Sequence, residues 1–299
     1  MNTMKTAALA LALMAAGPAP AALDVFACEP EWGALAKEIA GDSAHVYVAT
    51  TAEQDPHYIQ ARPSLISEIR NADLLACTGA ELEVGWLPLL LRRGGSPDIQ
   101  TGAKGQFLAA PQVRRLEIPS QVDRSQGDIH PQGNPHVHLN PHNLLRIADQ
   151  LAERMSQLDP ANAGLFRQRL AAFESAWRKS ITEWEKAAAP LAGKVVITQH
   201  RSFSYLADWL DLIVAANIEP KPGIPPSGAH LSRLLDQFRD NPPAAILRTP
   251  YEDTRPSDWL GERLGVPVIT LPYTVGGLGT SDLADVFDKT LELLLEAME

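Results

Sequence analysis

Positive charge is in short supply in this sequence. Lys and Arg together number 26 against 36 Asp and Glu, and the formal net charge is −10. This deficit argues against nucleic acid and anionic membrane surfaces as partners, because both are bound through clustered cations. An acidic balance is compatible with attracting cations, but many soluble proteins are acidic. Net charge therefore excludes partners without naming one.

Long apolar runs are also scarce. The run from Ala7 to Ala16 follows a positive start and precedes Ala19-Pro20-Ala21, a small-x-small cleavage site. We predict a secretory signal peptide over residues 1–21, because the run is too short to span a bilayer. No cysteine stands directly after the run, so we expect no lipoprotein anchor there, and we expect no later segment to span a membrane. We therefore expect an exported, periplasmic protein without membrane insertion after signal cleavage.

Cysteine is limited to two residues, Cys28 and Cys77. Each lies just after a short apolar run, and neighbouring parallel strands would bring both sulfurs to the same sheet end. An even count in an exported protein favours a disulfide. Two buried, reduced thiols are the alternative. A zinc site using these residues is disfavoured, because oxidised sulfur does not bind metal.

Strand-like and helix-like segments alternate in both halves of the chain. The predicted strands are residues 23–28, 44–49, 73–76, 194–198, 212–216, 244–247 and 266–271. The predicted helices between and after them are residues 30–39, a helix from 63, 141–158, 203–210, a helix capped by Pro225-Pro226-Ser227 that ends at 238, and 282–298. This alternation predicts an α/β fold with parallel sheets.

A long apolar periodicity lies mid-chain. Residues 160–188 repeat apolar side chains every three or four positions, which predicts a helix about 42 Å long. A coiled-coil or dimer arm is one explanation. We prefer a rigid helix that joins two lobes, because βα patterns lie on both sides. The predicted division is a signal peptide at 1–21, a first lobe at 22–158, a linking helix at 159–190 and a second lobe at 191–299. Residues 94–133 are expected to form loops.

Three histidines are the candidate functional residues. His57, His136 and His200 follow Asp-Pro, Asn-Pro and Thr-Gln, and they are 79 and then 64 residues apart. No single helix or hairpin can join them, but the predicted fold brings each to the interlobe cleft, at sheet ends where ligands bind. Converging neutral imidazoles suit a borderline-soft divalent metal, zinc first. The alternative is three unrelated histidines.

Several motifs match a known family in order along nearly the whole mature chain. They are Asp55-Pro56-His57 with Arg62-Pro63-Ser64, Ala72-Asp73-Leu74-Leu75 with Thr78-Gly79-Ala80-Glu81, Asn134-Pro135-His136 with Leu139-Asn140-Pro141, Thr198-Gln199-His200 with Phe203-Ser204-Tyr205, and Pro222-Gly223 with Pro226-Ser227. The chain resembles the ZnuA-like substrate-binding proteins of bacterial ABC transporters for zinc and manganese.

The resemblance implies two α/β lobes joined by a long helix, with metal held between them. It implies His57, His136 and His200 as the metal ligands. In manganese-type members of the family, the position that matches His200 looks like a glutamate. Imidazole there favours Zn²⁺ as the transported ion over Mn²⁺, because hard carboxylate oxygens suit manganese better.

The sequence departs from the family pattern at the expected fourth ligand. Thr274 stands where the family often has a carboxylate, and a neutral hydroxyl is a poor zinc ligand. Water, Glu252 or Asp282 are the candidates for the fourth position.

Two further departures affect residues around the predicted ligands. Asn134 and Asn140 replace family aspartates, and His138 replaces a residue that is usually aromatic. Asparagine still accepts a hydrogen bond from an imidazole N–H, but it supplies no charge.

The remaining histidines have simpler explanations. His130, His138 and His142 lie near His136, and this stretch is either a polar loop with one ligand or a loop in which His130 and His138 form a secondary or transfer site. His45 and His230 lie within predicted elements and are expected to be ordinary histidines. Residues 276–279 lack the ending of a phosphate loop and are expected to form a turn.

We therefore expect a monomeric, non-enzymatic protein that captures Zn²⁺ and delivers it to an inner-membrane ABC permease. A zinc-dependent hydrolase is the first alternative, since three protein ligands leave an open fourth position. No His-Glu-x-x-His motif accompanies the histidines, which argues against it. An adhesin that uses the metal as a structural staple is the second alternative. Copper and nickel also bind imidazole well, so they remain possible ligands.

Overall fold

The computed structural model describes residues 22–121, 127 and 129–298. The predicted signal peptide lies outside the described residues. Within them, no helix is both long and apolar enough to cross a membrane.

The first half of the chain forms a four-stranded parallel sheet in the order β2-β1-β3-β4. Its strands are β1 (Leu23–Ala27), β2 (Ala44–Val48), β3 (Leu74–Cys77) and β4 (Gln106–Leu108). Its helices are α1 (Pro30–Ala40), α2 (Pro63–Arg70), α3 (Leu87–Arg93) and α4 (Pro141–Leu158). All four helices carry proline in the first turn, where its missing N–H leaves no helical hydrogen bond unmade.

The second half repeats this arrangement, with a parallel sheet in the order β6-β5-β7-β8. Its strands are β5 (Val195–Thr198), β6 (Ile213–Asn217), β7 (Ala245–Arg248) and β8 (Val268–Thr270). Its helices, numbered after the linking helix α5 (Ala163–Ala188), are α6 (Ser204–Leu210), α7 (Gly228–Phe238), α8 (Thr254–Leu264) and α9 (Leu283–Met298). The predicted fold class, two parallel-sheet α/β lobes with a long helix between them, is confirmed.

Helix α5 has 26 residues and packs against α1 and α4 of the first lobe and α9 of the second. Its buried face is aromatic: Phe173 stacks on Trp177, and Trp184 stacks on Phe287 of α9. The indole of Trp177 donates to the carbonyl of Pro141, and this bond ties α5 to the start of α4. One apolar surface thus joins the lobes. The domain boundaries predicted from the sequence stay a prediction.

Cys28 and Cys77 form a disulfide, as predicted. Ala27 and Ala76 pair in adjacent strands, so the cysteines that follow them, Cys28 and Cys77, meet at the carboxyl end of the sheet. Both side chains are fully buried. The bridge therefore closes the sheet end that faces the second lobe.

The sequence prediction missed three elements. These elements are strand β4 and helices α3 and α8. Strand β4 lies within the predicted loop at residues 94–133, which also contains short 3₁₀ turns. β4 has three residues and pairs only with β3, so its side chains give no recognisable alternation. Strand β4 therefore forms because it pairs with β3, and its local sequence alone does not predict it.

Candidate metal centre

The structure brings His57, His136 and His200 together between the lobes. His57 follows β2, His136 precedes α4, and His200 follows β5. Their ring centroids are 5.6–5.7 Å apart, and one nitrogen of each ring lies within 4.8 Å of the other two. The three residues therefore form a compact nitrogen cluster that a single ion could bridge.

Asp55 orients His57. Its carboxylate accepts hydrogen bonds from the backbone N–H of His57 at 3.0 Å and from ring Nδ1 at 2.7 Å. Burial alone would raise the pKa of Asp55, but the hydrogen bonds from His57 outweigh it and the pKa lies below its usual value. A carboxylate only accepts, so the His57 proton resides on Nδ1 and Nε2 is left to bind metal.

Glu219 performs the same task for His200. It follows β6, the strand next to β5, so the two residues meet at the carboxyl edge of the second sheet. Nδ1 of His200 lies 2.7 Å from Glu219 Oε2, which also accepts the backbone N–H of Gly223. Burial opposes ionisation of His200, but Glu219 outweighs this effect and raises the pKa of His200 above 6.5.

His136 differs from the other two because its ring contacts a hydroxyl: Nδ1 lies 2.7 Å from the oxygen of Tyr273. Its Nε2 is buried and has no hydrogen-bond partner among the residues that the structure describes. Burial, together with repulsion from His57 and His200, lowers the pKa of His136 well below 6.5. The ring is therefore neutral across physiological pH. When Nδ1 donates to the Tyr273 hydroxyl, Nε2 carries the lone pair that can bind a metal.

Three Asx-Pro-His sequences adopt the same local turn. In each, a side-chain oxygen of Asp55, Asn134 or Asn140 accepts the backbone N–H of the histidine two residues later. His142, the histidine of the third turn, is exposed and pairs with Glu185. The motif thus fixes the backbone, and only the surrounding fold decides which histidine reaches the metal centre.

Asn134 has a second role that the sequence did not indicate. The expectation that it accepts a bond from the imidazole is wrong, since its oxygen takes the backbone N–H of His136. Its amide donates to the carbonyl of Arg201 and to Ser204 in the second lobe. Asn134 therefore anchors the His136 segment across the lobe boundary.

Asp282, a predicted candidate for the fourth ligand, and Thr274, which stands at the family's acid position, both have other partners. Asp282 accepts the N–H of Asp285 and lines a surface depression beside α1 and α5. Thr274 is buried and donates to Glu31 of α1 at 2.6 Å, so it forms a bond between the lobes. Glu252 lines a cavity that also contains His57 and His200. Burial raises the pKa of Glu252 to about 7, and its Oε1 has no hydrogen-bond partner.

His130 and His138 do not form the joint secondary site that the sequence allowed. Nε2 of His130 lies 3.2 Å from Nε2 of His57, so His130 lies beside the main cluster. His138 is buried elsewhere, with Nδ1 at 3.3 Å from Glu31 and Nε2 at 2.9 Å from the carbonyl of Tyr273. It belongs to the interlobe contact that includes Thr274.

The other predicted positions agree with the structure. His45 lies exposed on β2, and His230 lies on α7 with its backbone N–H bonded to Ser227. Residues 277–279 form a short 3₁₀ turn after the last strand. None of these residues approaches the histidine cluster through a recorded contact.

Comparisons with known proteins show the family and the fold of the chain. Residues 25–297 match the family ZnuA, described as "Zinc-uptake complex component A periplasmic". The chain is 26% identical over 218 residues to the zinc-binding lipoprotein AdcA of Streptococcus pneumoniae, covering 70% of this chain and 42% of AdcA. It is 23% identical to the manganese ABC transporter substrate-binding lipoprotein PsaA of the same species, covering 80% of this chain and 76% of PsaA.

The fold is shared with a solved structure of ZnuA. The TM-score is 0.78 at 22% identity, and the match covers 93% of this chain and all of the other. Because the chain spans less than half the length of AdcA, only part of that relative corresponds to it.

Proposed function

The chain belongs to the ZnuA family, a family of binding proteins and not of enzymes, and from this premise we propose that it captures Zn²⁺ and delivers it to an inner-membrane ABC permease. The observation that carries the proposal is the cluster of three imidazole nitrogens within 4.8 Å. Each ring has its other nitrogen held by Asp55, Glu219 or Tyr273. The two carboxylates fix the tautomers of His57 and His200, and all three contacts orient the rings for metal binding.

The ligand types favour zinc over manganese. Imidazole nitrogen suits zinc, copper and nickel, whereas manganese prefers carboxylate and water oxygens. The charge at the site also suits a divalent ion, because Asp55 and Glu219 place two negative charges directly behind His57 and His200. The named relatives include both a zinc and a manganese protein, so selectivity is argued from this chain's own residues.

We base the proposed export, monomeric state and lobe boundaries on the sequence alone. We propose export to the periplasm through the segment at residues 1–21, and a monomeric protein with lobes at 22–158 and 191–299 joined through 159–190. The position of the cluster between the lobes supports capture, because ligands from both lobes close around one ion. The hydrolase and adhesin alternatives gain no support from the family or from the named relatives.

Competition titration of the mature protein with a chromophoric chelator tests metal capture. We expect one tightly bound Zn²⁺ per chain and weaker Mn²⁺ binding. His200→Ala should lower zinc affinity at least about a hundredfold, since losing even a partner hydrogen-bonded to a ligand costs about 10- to 100-fold. His142→Ala is the matched control, because His142 occupies the same local turn but lies exposed beside Glu185.

Two outcomes contradict metal capture at this site: weak zinc binding by the wild type, or equal zinc affinity in His200→Ala and His142→Ala. Delivery requires a separate assay with the permease in proteoliposomes. Zinc-loaded protein should stimulate ATP hydrolysis there, and the His200→Ala variant should not. Stimulation by the variant equal to that of the zinc-loaded wild type would contradict metal-dependent delivery.

A further inference from the structure

His130 comes to the centre from the segment between β4 and α4. Its ring centroid lies 5.3 Å from that of His57 and 6.4 Å from that of His136. It lines a cavity together with His136 and His200, whereas Glu252 lines a different cavity that contains His57 and His200. His130 and Glu252 therefore approach the cluster through separate cavities.

The protons on His57 and His130 are assigned by their partners. Nδ1 of His57 faces the carboxylate of Asp55, and Nδ1 of His130 lies 3.0 Å from the carbonyl of Ala80. Both partners only accept hydrogen bonds, so each Nδ1 carries a proton. In the neutral rings, both Nε2 atoms are then acceptors, although they lie 3.2 Å apart. One cation could bind both of these nitrogens.

The separation of these two nitrogens fits a shared zinc ion. Zn–N bonds are about 2.0–2.1 Å long, so two nitrogens on one tetrahedral zinc lie about 3.3–3.4 Å apart. The observed 3.2 Å between Nε2 of His57 and Nε2 of His130 is close to this value. His57 and His130 are thus spaced as two ligands of the same ion.

The turn that holds His130 is built at some conformational cost. Gly79, Ala80 and Glu81 all have positive φ, at 76°, 50° and 68°, a conformation that alanine and glutamate rarely adopt. The carboxylate of Glu83 stabilises the turn by accepting the backbone N–H groups of Thr78 and Gly79. Strain of this kind persists where the surroundings enforce it, and it often marks functional sites. Here it presents the Ala80 carbonyl to His130.

We infer that His130 is the fourth protein ligand of the metal, which gives a site of four imidazoles, three from the first lobe and one from the second. This inference rests on the proposed function and names the residue that completes its site. A fourth imidazole in place of water or a carboxylate sharpens the preference for zinc over manganese.

The test compares zinc affinity and zinc X-ray absorption in wild type, His130→Ala, His130→Gln, His57→Ala, Glu252→Gln and the control His142→Ala. We expect His130→Ala to lower zinc affinity about 10- to 100-fold, by analogy with the loss of weaker outer contacts. The absorption spectrum should show four imidazoles in the wild type and three in the variant. Manganese affinity should change less than zinc affinity.

His130→Gln separates a ligand from a residue that only holds the turn. Its amide can still donate to the Ala80 carbonyl, so a structural role would be rescued, whereas a ligand role would not. Full zinc affinity in His130→Gln, or an unchanged imidazole count in His130→Ala, would overturn the inference. The inference would also be overturned if Glu252→Gln lost the fourth ligand while His130→Ala kept it. That result would identify Glu252 as the fourth ligand.

Failure of this inference is distinguishable from failure of the proposed function. If His57→Ala loses zinc while both His130 variants bind like the wild type, capture stands and the fourth ligand is not His130. If the wild type binds no zinc, or His57→Ala binds it equally well, the proposed function itself fails.

Discussion

The two lobes share one topology but contribute unequally to the metal centre. Each has four parallel strands in an equivalent order. The first lobe supplies His57, His136 and a buried disulfide, whereas the second supplies His200 with Glu219 behind it. The two sheets therefore have equivalent carboxyl ends, and the loops that follow the strands determine which site residues lie there. Because neither lobe holds all three histidines, the site exists only when both are in contact.

The largest expected effect concerns the disulfide, which the second lobe lacks. Changing both Cys28 and Cys77 to serine should lower the free energy of unfolding by about 2–5 kcal/mol, because the bridge closes a long loop in the unfolded chain. Urea unfolding monitored by circular dichroism measures this loss. If the lobes unfold separately, the loss should appear only in the transition of the first lobe. Equal stability of variant and wild type would contradict the prediction.

The next effect tests the contrast between charged and neutral support of the ligands. Glu219→Gln removes the negative charge behind His200 and should lower zinc affinity about 10- to 100-fold. Tyr273→Phe removes a neutral bond to His136 and no charge, so we expect a smaller loss, about tenfold, at the lower end of the same range. Zinc competition titration compares them, with Asp253→Asn as an exposed control. If Tyr273→Phe lost more zinc affinity than Glu219→Gln, the neutral contact would matter more than the charged one, and the prediction would be wrong.

A smaller effect follows from pH. Only neutral His200 binds metal, and Glu219 raises its pKa above 6.5, so protons begin to compete as the pH falls below that raised value. Zinc affinity at pH 5.5 should be at least about tenfold lower than at pH 7.5. His136 contributes less than His200 to this change, because burial lowers its pKa well below 6.5. Titrations at both pH values measure the loss, and Glu219→Gln should move its onset to lower pH. Equal affinity at the two pH values would contradict the prediction.

Sequence patterns predicted the alternating elements and the three histidines because both depend on local signals. Strand runs, helix starts and the positions after strands β2 and β5 are visible in short windows. The same windows missed β4, whose pairing with β3 is not local. They also could not separate His136 from His142, which follow the same Asn-Pro turn and differ only in what surrounds them.

Long-range contacts explain the remaining errors at the site. The neighbour of His130 is His57, 73 positions earlier, and no local pattern connects them. Thr274 could be aligned with a ligand position, but its hydroxyl is bonded to Glu31, 243 positions away. The outer partners Glu219 and Tyr273 were also not predicted. A search for acids at the end of the strand next to His200 could have found Glu219.

The contact between Glu31 and Thr274 has a consequence for how long a captured ion stays. Both side chains are buried, and Thr274 lies just after β8 in the second lobe whereas Glu31 lies on α1 in the first. Wide opening of the lobes would break this hydrogen bond to a carboxylate, at a net cost of about 1.5–3 kcal/mol. The aromatic face of α5 would resist the same motion. We therefore expect the residence time of the ion to be set by stepwise ligand exchange at the cleft and not by the frequency of lobe opening.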